Sequence, residues 1–127
     1  MIGLTGDWPG TQCASLMAHR PLGLPAGLQP LDWDRSDAPS PSSVAQRLRD
    51  AGVEPYAWSN APGDRYAVHE HGYTKLLMCA AGSITFLVGP DAQPVELRPG
   101  DGFVLPPATP HAAVVGPTGC TCLEGHR

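Results

Sequence analysis

Long hydrophobic runs and basic charge are both scarce in this sequence. No segment reaches the ~20 apolar residues that a transmembrane helix needs, and Asp7 interrupts the N-terminal stretch where a secretory signal would be apolar. The formal net charge is -4, so no basic surface is expected to attract the phosphates of a nucleic acid. We therefore expect a cytoplasmic protein that binds neither membranes nor nucleic acids.

Several catalytic and redox templates are also missing. The sequence contains no GxSxG nucleophile elbow, no phosphate-binding P-loop and no GxGxxG turn. Its four cysteines include no CxxC pair, and Cys120 and Cys122 lie two residues apart, where they are poorly placed to bridge each other. We interpret the cysteines as reduced, structural thiols rather than redox groups or metal ligands.

Glycine and proline, in contrast, are abundant, with 15 of each among 127 residues. Such a content would suggest disorder if the apolar fraction were low, but hydrophobic residues make up 42% of the chain. The length suits one domain with a single core. One loop-rich, all-β domain is therefore expected.

The chain divides into an arm and a patterned region. Residues 1–39 are crowded with prolines and glycines, so we expect an irregular N-terminal arm that runs along the domain or across to a second subunit. The region 40–127 opens with a predicted helix at Pro41–Ala51, capped by Ser40 and stopped by Gly52. From about 53 to 124 the hydrophobic period is two. Eight or so short strands with Gly/Pro turns predict a sandwich or small barrel.

Two histidines lie close together on one of these predicted strands. His69 and His71 are two residues apart, and alternate side chains of a strand share a face. Their imidazoles can therefore aim at one point, which is a simple way to begin a metal site in a β-protein. A third histidine, His111, lies in a later strand-like segment.

The spacing around these histidines resembles that of the cupin family. The first cupin motif is G-x5-H-x-H-x3-E-x6-G, and five positions follow its spacing: Gly63, His69, His71, Lys75 and Gly82. The second motif, G-x5-P-x-G-x2-H-x3-N, is matched at three positions: Gly100, Pro106 and His111. Ala108 stands for its second Gly and Val115 for its Asn. Both motifs occur in order, within a resemblance that covers roughly residues 53–124.

This resemblance implies a double-stranded β-helix, or jelly-roll barrel, with a metal held inside by His69, His71 and His111. Neutral imidazoles suit one divalent transition metal such as Fe, Mn, Ni, Cu or Zn, and three of them leave positions open for water and substrate. The resemblance does not select among these metals. It also implies a homodimer, because cupins commonly form dimers.

Lys75 departs from the motif, which has an acid at this position. An ammonium group has no lone pair to offer a metal. Three arrangements remain open: a three-histidine site with Lys75 turned toward the substrate, a fourth ligand from elsewhere, or a barrel that has lost its metal. Three neutral ligands leave the metal its full double charge, to which an adjacent ammonium would add. A small anionic ligand is therefore expected, namely a carboxylate, enolate or thiolate.

Two neighbours of the histidines are further candidates for substrate binding. Strand alternation predicts that Arg65 shares the inward face of His69, where it would be a second anion-binding group. Tyr73, in the turn between the ligand strands, would supply a phenol at the pocket mouth or cap the pocket as an aromatic. We expect a metal-dependent oxygenase, such as a dioxygenase, or a related enzyme. The alternative is a binding or sensor module without turnover.

Overall fold

One helix and seven strands make up the regular structure of the described chain. The computed structural model describes residues 24–25 and 27–127, so most of the predicted arm and Cys13 lie outside the described residues. The elements in chain order are β1 (Gln29–Leu31), α1 (Pro41–Asp50), β2 (Tyr56–Asn60), β3 (Arg65–His69), β4 (Lys75–Val88), β5 (Gln93–Leu97), β6 (Gly102–Leu105) and β7 (His111–His126). Within these residues, no helix combines the length and the apolar character needed to cross a membrane.

The strands form one antiparallel sheet that folds over on itself. β4 and β7 pair along most of their length, with register shifts near the middle between Cys79 and Ala81 and between Gly82 and Ile84. The first half of β4 also pairs with β6, and the second half with β5. β7 pairs likewise with β3 and then with β2. One layer therefore has the order β1-β6-β4-β7-β2 and the other the order β5-β4-β7-β3, which agrees with the predicted jelly roll.

The main core lies between the two layers. It combines inward side chains of both, and Phe86 of one layer meets Phe103 of the other edge to face, with ring centroids 5.3 Å apart. Three cysteines belong to this core as free, buried thiols, in agreement with the interpretation of the sequence: Cys79, Cys120 and Cys122.

α1 covers the outer face of the first layer. Its start follows the predicted signals, since the backbone N–H of Ser43 donates to the Ser40 hydroxyl, the Ser40 N–H donates to the Ser43 hydroxyl, and Pro41 opens the first turn. Val44 and Leu48 are fully buried in a second apolar cluster with outward side chains of β4 and β7. The helix ends at Asp50, one residue before the predicted end.

The largest differences from the sequence prediction concern β1, β4 and β7. Gln29–Leu31 lies within the arm expected to be irregular, yet it pairs with β6 and buries Leu31 under α1. Three residues are too few to carry a visible alternation. In the β4 region the sequence pattern predicts two strands, Lys75–Ala81 and Ser83–Val88, and in the β7 region it predicts His111–Val115 and Gly119–Glu124. Instead each continues through the bend, because Gly82 and Gly119 adopt positive φ angles of 70° and 82° without ending the pairing.

We expect Gly82→Ala to destabilise the fold far more than Gly89→Ala. Both glycines have positive φ, so an alanine costs about 1–2 kcal/mol at either position. A Cβ on Gly82 would also collide with the carbonyl oxygen of Gly119, whereas one on Gly89 meets nothing within 4 Å. Urea denaturation should give a loss of at least roughly 3 kcal/mol for Gly82→Ala. Equal losses in the two variants would contradict the close contact between Gly82 of β4 and Gly119 of β7.

Candidate metal centre

Three histidines converge where β3 ends and β7 begins. His69 is the last residue of β3 and His111 the first of β7, and the two are direct cross-strand partners. His71, which the sequence predicts on the same strand as His69, instead follows two residues after β3, in the loop that leads to β4. One ligand nitrogen from each residue lies within 4.8 Å of the others. The ring centroids of His69 and His111 are 4.2 Å apart, and those of His69 and His71 are 4.9 Å apart.

Backbone carbonyls orient two of these rings. The Nδ1 of His69 lies 2.8 Å from the carbonyl oxygen of Ala67, and the Nδ1 of His111 lies 2.9 Å from that of Thr109. A ring that donates its Nδ1–H to a carbonyl keeps the lone pair on Nε2, which is the usual arrangement for a metal-ligating histidine. The Nε2 atoms of His71 and His111 are buried and have no hydrogen-bond partner. Such orphaned acceptors fit a metal ion, because burying them unpaired is costly.

The protonation of the cluster also suits a metal. Burial lowers the pKa of His111 to about 4, because the charged imidazolium is poorly solvated there. Burial also lowers the pKa of His71, with a further contribution from the positive charge of Lys75. Both rings are therefore neutral near pH 7, as a ligand must be.

The loop before β7 supports the cluster through its backbone. The N–H of Ala108 donates to the carbonyl oxygen of His71 over 2.7 Å. Ala108 occupies the place where the second cupin motif has glycine, and it nevertheless adopts the left-handed conformation, with φ of 58°. This hydrogen bond ties the loop that carries His71 to the segment that precedes His111.

Lys75 is buried beside an acid that the sequence reasoning missed. Its Nζ lies 3.4 Å from Oε2 of Glu124, and the two side chains are only 9% and 7% exposed. Glu124 also accepts hydrogen bonds from the Tyr56 hydroxyl at 2.7 Å and from the Trp58 indole N–H at 2.9 Å. The bond to this carboxylate raises the pKa of Tyr56 to about 12, so the phenol stays protonated as a donor. One signal pointed to Glu124, since it is an acid two residues after Cys122 on the inward face of a strand.

A pocket of about 280 Å³ opens next to the cluster. Its polar lining consists of His69, His111, Lys75 and Glu124. Its apolar lining is largely aromatic and includes Tyr56, Trp58, Tyr66 and Phe86. A metal held by the histidines would therefore lie at the edge of a pocket that combines aromatic walls with a buried ion pair.

The sequence matches the family described as the AraC-like ligand binding domain over residues 50–123, which is more than half of the chain. The chain belongs to this family of cupins. The prediction made from the two motifs is thereby confirmed. A comparison with curated proteins finds no match.

Solved structures agree with this assignment. An RmlC-like cupin from Shewanella frigidimarina NCIMB 400 is 26% identical, with a TM-score of 0.52 over 58% of this chain and 64% of that one. The DMSP lyase DddQ from Ruegeria pomeroyi DSS-3 is 27% identical, with a TM-score of 0.54 over 59% and 38%. The ribosomal oxygenase YcfD from Escherichia coli, in complex with cobalt and 2-oxoglutarate, is 20% identical, with a TM-score of 0.57 over 68% and 27%, a likeness of fold alone.

These comparisons confirm the predicted fold of the cupin barrel, a double-stranded β-helix. The matched part of this chain spans less than two thirds of the length of each of these proteins. The likeness therefore concerns the barrel, and it assigns no activity to this cupin.

The structure brings most of the predicted site residues together, but not all of them. Lys75 lines the pocket beside the histidines, while Tyr73 stacks on the ring of His71. Arg65 is exposed and is not part of the pocket lining. A register shift between Tyr66 and His69 interrupts the alternation of β3, so that Tyr66 and not Arg65 lines the pocket with His69. The expectation that Arg65 faces inward is therefore corrected.

We expect the free energy of unfolding of the metal-free cupin to fall as the pH is lowered from about 7 to about 4. The pKa of His111 is about 4 in the folded state against the ordinary 6.5, so the unfolded chain takes up the proton first and stability is lost on acidification. The full loss is on the order of 3 kcal/mol at most. Urea denaturation in the presence of EDTA measures it across this range. In the variant His111→Gln, the free energy of unfolding should depend less on pH. An unchanged pH dependence in this variant would contradict the low pKa of His111 in the folded state.

Proposed function

We propose that this cupin binds one divalent transition metal through His69, His71 and His111 and acts on a small anionic molecule bound at that metal, as an oxygenase or related enzyme. One observation carries the proposal, namely a group of three histidines with one ligand nitrogen each within 4.8 Å of one another, in which the Nε2 atoms of two rings are buried without a partner. Imidazole ligands suit Fe, Mn, Ni, Cu or Zn. A bound metal of this kind would supply Lewis-acid or redox chemistry.

The charges around the site support an anionic ligand, but the contribution of Lys75 differs from the one expected from the sequence. Three neutral imidazoles leave the metal its double positive charge, which attracts an anion. Lys75 does not add to this charge as the sequence suggested, because Glu124 neutralises it within the same pocket. The attraction for the anion therefore comes from the metal, while the ion pair serves to orient the bound anion.

Lys75 is the residue best placed to orient the ligand. Its ammonium carries three donors, so it can keep Glu124 and donate to a ligand oxygen at the same time. Glu124 is held in turn by Tyr56 and Trp58, which limits the movement of Lys75. Tyr66 and Phe86 add apolar walls for the body of the ligand.

A non-catalytic ligand-binding or sensor module is the second candidate. It is favoured by the description of the matching family as a ligand binding domain. The two candidates are separated by loading anaerobically purified protein with each metal in turn and measuring O2 consumption with a panel of small carboxylates and thiols. Turnover with any metal supports the enzyme, and binding without turnover supports the module.

A homodimer in the cytoplasm completes the proposal. β2 and β3 expose large apolar side chains that a second subunit would cover: Tyr56, Tyr66 and Val68. The free thiols of the core suit a reducing compartment. Light scattering coupled to gel filtration measures the assembly, and a monomer at all concentrations would remove the dimer from the proposal.

We expect elemental analysis of the protein reconstituted with a divalent metal to give one metal per chain. Replacing His69, His71 or His111 by alanine should lower the metal affinity at least about 100-fold, because a lost direct ligand costs more than a lost outer-shell contact. Glu70→Gln is the matched control, since this acid lies between two of the histidines and is exposed. Unchanged metal content in all three alanine variants would refute the three-histidine site.

We expect Lys75→Met to destabilise the cupin by about 3 kcal/mol, because it leaves the carboxylate of Glu124 buried without its cation. The double variant Lys75→Met/Glu124→Gln should recover most of this stability, since no unpaired charge remains. Both variants should bind small carboxylates about tenfold more weakly, as one charged hydrogen bond is lost. Denaturation and calorimetric titration measure the two effects separately. Full carboxylate affinity in the double variant would exclude Lys75 from ligand binding.

A further inference from the structure

His71 is held differently from the other two histidines of the cluster. Backbone carbonyls lie against Nδ1 of His69 and of His111, and both residues belong to strands. His71 lies in the loop after β3, and its ring stacks on the ring of Tyr73. The two centroids are 4.8 Å apart and the planes differ by only 18°. The His71 ring is therefore contacted by an aromatic ring, whereas the other two histidine rings are oriented by a backbone carbonyl.

Tyr73 is itself fixed by the end of β7. Its ring centroid lies 4.3 Å from that of His126, with an angle of 32° between the planes. Two backbone hydrogen bonds anchor this corner, because the N–H of Thr74 donates to the carbonyl of Arg127 at 3.1 Å and the N–H of Arg127 donates back at 3.0 Å. The row of rings from His126 through Tyr73 to His71 therefore joins the last strand to the loop of the cluster.

We infer that Tyr73 and His126 are positioning residues that fix the imidazole of His71 for metal binding. The inference rests on the proposed three-histidine centre and gives Tyr73 a role other than the substrate contact suggested by the sequence. A ring on a loop can turn about two side-chain torsions, and a parallel neighbour restricts that rotation through face-to-face contact. Restricting the ring, whose Nε2 is buried and unpartnered, keeps the imidazole within the group of histidines whose ligand nitrogens lie within 4.8 Å of one another.

The experiment compares Co(II) binding by the full chain and by three variants at one position. Tyr73→Phe keeps the ring, Tyr73→Leu keeps apolar bulk without a flat face, and Tyr73→Ala removes both. We expect affinity within about twofold of the original for Phe and about tenfold weaker for Leu and for Ala, the size of effect typical of outer-shell partners. The visible absorption of bound Co(II) should change for Leu and Ala and stay the same for Phe, because it reports ligand geometry.

His126 provides an independent arm of the same experiment. His126→Ala should weaken Co(II) binding and His126→Phe should restore it, since the phenyl ring replaces the stacking surface. Circular dichroism and thermal denaturation establish that each variant is folded. If Tyr73→Leu has the Co(II) affinity and spectrum of the original protein, apolar packing is sufficient and the inference is overturned. The same holds if Tyr73→Ala leaves the affinity and the spectrum unchanged. Absence of Co(II) binding by the original protein would instead overturn the proposed metal centre, and this inference with it.

Discussion

The antiparallel pairing of β4 with β7 is the constraint on which the site depends. β7 carries His111 at its start and Glu124 near its end, and β4 begins with Lys75. Because both strands bend at glycines and stay paired, the two ends of β7 belong to different layers of the barrel. The pocket lies between these layers, so one strand supplies a histidine from one wall and an acid from the other. A break in the pairing would separate the histidine cluster from the ion pair of Lys75 with Glu124.

The sequence was most informative where local periodicity and fixed spacing carry the chemistry. His69 and His71 could be predicted from the spacing of the first motif, although His71 lies in the loop after β3 and not on the strand, and His111 followed from the second motif. The helix was predictable from Ser40 and Pro41, whose capping role is local. Each of these inferences needs only short segments of sequence, and the structure agrees with the grouping of the histidines and with the helix start, but not with the strand placement of His71.

The remaining parts of the site depend on tertiary structure. The partnership of Lys75 with Glu124 follows from the register of β4 on β7, and a single sequence does not encode that register visibly. Arg65 faces outward because one bulge interrupts the alternation of side chains in β3. No residue of that strand indicates the bulge in the sequence. Tyr56 and Trp58 belong to the site because they donate hydrogen bonds to Glu124. Since the sequence did not reveal this acid, it did not reveal its donors either.

The left-handed backbone of Ala108 gives the centre a source of rigidity apart from ring contacts. A residue with a side chain occupies this region at a cost of about 1–2 kcal/mol, so the conformation persists only where the surroundings over-determine it. A glycine would accept the same angles more cheaply but would also accept many others. The methyl group therefore narrows the range of motion open to the peptide that holds the His71 carbonyl. In this barrel, a strained backbone position therefore restrains the segment beside the three histidines, at a cost to the stability of the whole fold.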